Sequence, residues 1–83
     1  MESTARNYKE VKESAFATCR IPDGYFGDTA EVLVSVVGNV VMFVADHGYF
    51  RAPLPLVQNK EEAVWLLTHH PDAKNVTEIK TIK

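Results

Sequence analysis

Four side chains in the middle of this 83-residue chain have the makings of a site: Glu31, Asp46, Tyr49 and Arg51. Two carboxylates, a phenol and a guanidinium within reach of one another could hold a small polar ligand or exchange protons with it. His47 follows Asp46 directly and would add an imidazole. The plainer reading of the same group is an arginine bridging two carboxylates at the margin of a sheet. Such a surface cluster is worth little to stability and has no chemical task. The plainer reading carries more weight.

The other groups capable of chemistry stand apart. Cys19 is the only cysteine, so no disulfide can form within the chain. As a nucleophile it would need a neighbouring base and a lowered pKa, and lone cysteines are most often small buried hydrophobes. His69 and His70 are adjacent. On a helix they would point about 100° apart and could not readily share one ion. No cysteine pair and no His-x-x-x-His spacing supports a metal, and Gly24 and Gly27 do not make a phosphate-cradling loop. No cofactor is expected.

For Glu31 and Asp46 to meet, the chain between them must double back, and its pattern does so. Glu31 to Val37 and Val40 to Asp46 are two β-branched runs separated by Gly38-Asn39. Glycine in the first of two turn positions suits a type II′ hairpin, whose twist matches its strands. This register sets Val37 against Val40 and, at the open end, Glu31 against Asp46. A second two-residue turn at His47-Gly48 would set Tyr49 against Asp46 and Arg51 against Val44. Tyr49 to Ala52 would then be a short third strand, ended by Pro53 and Pro55.

Around that hairpin the remaining elements follow. Residues 1–6 read as a frayed end. From Asn7 to Ser14 the chain fits either a short helix capped by Asn7 or an extended arm, and Ala15 to Ile21 reads as a strand. Pro22-Asp23-Gly24 is a turn. Asn59 and Glu62 form a capping box for a helix over 60–70, stopped by Pro71. Val76 to Ile82 reads as a last strand, with Lys80 and Lys83 on an edge. The fold class is α+β: a mainly antiparallel sheet of four to five strands, the 31–37/40–46 hairpin central, with one main helix on one face. Residues 1–83 make a single domain.

The hairpin register also assigns faces. Val32, Val34, Val36, Val41, Phe43 and Ala45 share one face, which the helix must cover. Leu33, Ser35, Val37, Val40, Met42 and Val44 share the other, where a solvated sheet would alternate to polar residues. The N-terminal arm, the 22–30 loop, a second copy of the chain or another partner could cover that second face. Trp65 points away from the apolar side of the helix and is a typical interface anchor. Tyr25 and Phe26, between two glycines, could add a recognition surface. Leu33, Val37, Val40, Met42, Val44, Trp65, Tyr25 and Phe26 are therefore the candidate interface.

Charge and composition bound the function. With 46% hydrophobic and 24% charged residues the chain is ordinary for a folded domain. A net charge of -2 gives no pull toward nucleic acid. Neither a signal-peptide pattern nor an apolar run long enough for a membrane helix occurs, and a single cysteine suits the cytoplasm. Asn75-Val76-Thr77 matches a glycosylation sequon, a match that chance explains without an export signal. The function these features favour is a non-enzymatic protein-interaction or regulatory module. It would be an inhibitor or accessory subunit of a kind common in phage and mobile elements, binding another protein and able to self-associate. The alternative is a small-molecule binder or enzyme using the Glu31/Asp46/Tyr49/Arg51 group.

Overall fold

The computed structural model describes residues 7–22, 28–46 and 48–82. The chain runs α1 (Tyr8–Glu13), β1 (Ala17–Pro22), β2 (Thr29–Val37), β3 (Val40–Ala45), β4 (Gly48–Arg51) and α2 (Lys60–His69). A 3-10 turn at Pro71–Ala73 and β5 (Thr77–Thr81) complete it. The five strands form one sheet in the order β4-β3-β2-β1-β5, every pair antiparallel. The α+β class, the central hairpin and the main helix on one face are as the sequence predicts. The N-terminal segment is helix first and strand second.

Gly38 opens the β2–β3 turn with φ +62°, the left-handed value that a type II′ turn asks of its first position and glycine supplies without a steric penalty. The ladder then pairs Val37 with Val40 through to Leu33 with Val44, in the predicted register. Asn39 does more than turn the chain. Its side-chain amide donates to the Val57 carbonyl (2.7 Å), and its own carbonyl accepts from the Val57 amide (2.8 Å). The hairpin tip thus holds the Pro53–Gln58 connection against the sheet, with Leu54 and Val57 buried beneath it.

That connection delivers the chain to α2. Asn59 caps the helix by accepting from the Glu62 amide (2.8 Å), and the Glu62 carboxylate reaches back to the Gln58 amide (2.7 Å). One orphan donor of the first turn, the Glu62 amide, is satisfied in this way, and the amide just before the cap is held as well. Ala63, Leu66 and Leu67 face the sheet and join Phe16, Val34, Val41 and Phe43 in the core. Burying a side chain such as Leu67 contributes about 1.5–3 kcal/mol.

The other face is covered by α1. Asn7 caps α1 through the Glu10 amide (2.8 Å). Val11 is fully buried, and the Ser14 hydroxyl shares a 2.6 Å hydrogen bond with that of Ser35, the buried serine on the face opposite α2. The N-terminal segment therefore answers the question posed by the second face, but only in part. Six helical residues span about 9 Å, whereas a nine-residue strand such as β2 spans about 30 Å.

The second hairpin differs from expectation. Ala45 pairs with Gly48, and Val44, not Asp46, pairs with Tyr49. The strand is slid by two residues, and the turn falls one position earlier than His47-Gly48. Gly48, with φ +150°, stands just after it. Two gains account for the register. Phe50 comes opposite Phe43, with the rings edge-to-face at 5.7 Å. Asp46, a poor strand residue, is moved into the turn. Because the slip is of two residues, Tyr49 and Arg51 keep the face assigned to them.

β5 carries a bulge. Thr18 pairs with Lys80 and Arg20 with Thr77, so Cys19 alone faces both Glu78 and Ile79. Glu78 has φ +53°. That left-handed conformation is the one the first residue of such a bulge adopts, usually as glycine.

Candidate functional site

Each predicted site residue can now be placed. Glu31 and Asp46 do not form a ladder pair, because β3 ends at Ala45 and Glu31 faces Arg20 on β1 instead. Arg51 lies opposite Met42, two ladder positions farther from the open end than the sequence suggests. It forms no ion pair with either carboxylate: among the described residues the one pairing of a permanent cation with a carboxylate is Arg20–Glu78 (3.8 Å). Tyr49 stands opposite Val44 and is half-buried. His47 lies outside the described residues. The register thus separates the guanidinium from the carboxylates that it was expected to bridge.

What the open end of the hairpin does hold is a recess of about 190 Å³. Glu31, Leu33, Val44 and Asp46 line it from the sheet, Thr18 from β1, and Tyr8 and Lys12 from α1. The Tyr8 hydroxyl donates to the Ala45 carbonyl (2.7 Å), and the Lys12 ammonium lies 5.7 Å from the Tyr8 ring centre. Tyr8 and Lys12 were not foreseen. Their only signal was the helical spacing from Tyr8, which could not say where α1 would dock. With its phenol already bonded to a backbone carbonyl, Tyr8 serves as an anchor for α1 before any other role.

Cys19 is fully buried and faces the α2 side. Burial, reinforced by the Glu31 charge, pushes its thiol up to about 11. The thiolate is the nucleophilic form, so this thiol is chemically quiet near neutrality. No group of His, Cys, Asp and Glu able to hold a metal ion occurs among the described residues. Nor is any helix among them long and apolar enough to cross a membrane.

The candidate interface divides. Val44 is buried beside the recess that Tyr8 and Lys12 line, while Leu33, Val37, Val40 and Met42 are half-buried on the same face. Trp65 is 56% exposed on the outer side of α2, its ring stacked on His69 at 4.4 Å. The His69 Nδ1 approaches the Trp65 carbonyl (2.9 Å), which fixes the imidazole for that stack. Tyr25 and Phe26 lie outside the described residues.

No family model, curated protein or solved structure matches this chain. The chain forms a small α+β domain with no obvious catalytic machinery among its described residues.

Proposed function

We propose that this domain is a non-enzymatic interaction module, an inhibitor or accessory subunit that binds another protein through the sheet face opposite α2. The observation that carries the reading is the mismatch between α1 and that face. α1 is fastened at Ser35 and at the Ala45 carbonyl, and Val37, Val40 and Met42 continue the face of Ser35 toward Gly38 as a half-exposed apolar strip. Apolar side chains grouped in this way favour a protein partner, because burying them recovers free energy that solvent exposure withholds. Arg51 beside Met42 supplies a cation at the margin of the strip, where a polar rim is usual.

The test is affinity capture from the native host with the wild-type chain and with Val40→Lys and Met42→Glu. Both substitutions lie at half-exposed positions and should leave the circular dichroism spectrum unchanged. Loss of the captured protein in both variants is the expected result. Undiminished capture by folded variants would remove this face from consideration.

A further inference from the structure

The recess of about 190 Å³ at the open end of the β2–β3 hairpin has a floor and a rim of different chemistry. Val44 is buried at the floor, with Leu33 and Thr18 half-buried around it. Lys12, Glu31 and Asp46 are exposed and make the rim. The rim charges are divided by element. α1 carries the cation, which lies 5.7 Å from the Tyr8 ring centre, whereas both carboxylates belong to the hairpin. None of the three is in an ion pair among the described residues, where the one pairing of a permanent cation with a carboxylate is Arg20–Glu78. The α1 wall is fixed in place by the Tyr8 hydroxyl on the Ala45 carbonyl (2.7 Å), so the recess exists before any ligand arrives.

Each class of small ligand meets these groups differently. A plain amine would answer the carboxylates and face Lys12 as a like charge. A plain carboxylate would answer Lys12 and face two like charges. A neutral apolar molecule would cover the floor and take water from charges that it cannot pair. A zwitterion with a short aliphatic chain matches floor and rim together.

We infer that the recess binds a free aliphatic α-amino acid. Its side chain rests on Leu33 and Val44, its ammonium turns toward Glu31 and Asp46, and its carboxylate turns toward Lys12. The Thr18 hydroxyl can donate to the carboxylate or accept from the ammonium. The size agrees: pockets for drug-sized ligands run from about 300 to 1,000 Å³, and this recess falls below that range. A residue inside a peptide has lost both charged groups, so the occupant is the free amino acid. The recess and the strip of Val37, Val40 and Met42 lie at opposite ends of the hairpin, so this site stands or falls independently of the proposed partner.

The test is a titration of the wild-type chain with L-leucine, followed by amide chemical shifts up to the millimolar range. Saturable shifts at Thr18, Leu33 and Val44 are the expected result. N-acetyl-leucine and leucinamide, each lacking one charge, should bind about tenfold more weakly or worse. Leucine should lose about as much on Glu31→Gln and on Lys12→Gln, both at exposed positions, with circular dichroism verifying the fold. The absence of saturable shifts at these residues overturns the proposal. So does equal binding of leucine and its two blocked derivatives, which would make the recess an apolar dent that reads neither charge. Undiminished binding by both folded variants overturns it as well.

Discussion

Cys19 and Glu78 lie across the β1–β5 pairing from each other and illustrate how single residues set the energetics here. The Cys19 thiol ionises near 9.0 when unhindered and at about 11 in the fold. Between those values the unfolded chain sheds the proton while the folded chain keeps it. This contribution to stability is therefore intact below pH 9 and declines as pH rises toward 11, by on the order of 2 kcal/mol. Chemical denaturation of wild type and Cys19→Ala across that range should show the extra slope in wild type alone; parallel curves would refute it. Glu78 is costly in a different way. A left-handed conformation costs a non-glycine residue about 1–2 kcal/mol. Its pairing with Arg20 at 3.8 Å, both ends at least a third exposed, returns little. Glu78→Gly should therefore be more stable than Glu78→Ala by about 1 kcal/mol, equivalent to about 4–8 °C in Tm for a domain of this size. Equal melting temperatures would mean that the bulge is not strained.

At the scale of elements, what could be read from sequence is what short-range chemistry determines. Two-residue turn geometry gave the β2–β3 register, and Asn59 with Glu62 marked the start of α2. The β4 register was misjudged because Gly48 was taken as a turn residue. The deciding term is the Phe43–Phe50 contact, which depends on packing and not on turn propensity. The expected Arg51 bridge was lost with that register, and the recess at Tyr8 and Lys12 was missed because it depends on a contact 37 residues away along the chain. Asn39 shows the same limit. The sequence marks it as a turn residue and says nothing of its two bonds to Val57. Asn39→Ala removes the side-chain bond and leaves the part-buried Val57 carbonyl with one partner fewer, so it should cost about 1–2 kcal/mol. Asn39→Asp sets a carboxylate against that carbonyl and should cost more. Thermal melts rank the two, and an Asp variant as stable as wild type would show that the clamp contributes nothing. The Ser14–Ser35 bond fastens α1 to β2 in a similar way, and Ser35→Ala should cost about 1 kcal/mol.

At the scale of the whole molecule, two of its apolar surfaces face opposite ways. α2 packs on one face of the sheet and turns Trp65 outward, while the strip of Val37, Val40 and Met42 lies on the opposite face. The sheet and its core separate them, so a partner of ordinary size seated on the strip leaves the indole in water. The 56% exposure of Trp65 also means that truncating it removes little buried area, and Trp65→Ala should change stability by less than about 1 kcal/mol. Trp65 is the only tryptophan, so its emission reports on this one surface. In the free protein that emission should be that of a solvated indole, readily quenched by iodide. If the partner docks on the sheet face, quenching should be unchanged in the complex, and Trp65→Ala should bind as wild type does while Val40→Lys does not. Protection of Trp65 from iodide in the complex, or loss of binding in Trp65→Ala, would instead place the partner on α2. The half-covered sheet would then be a consequence of the short α1 and would have no part in recognition.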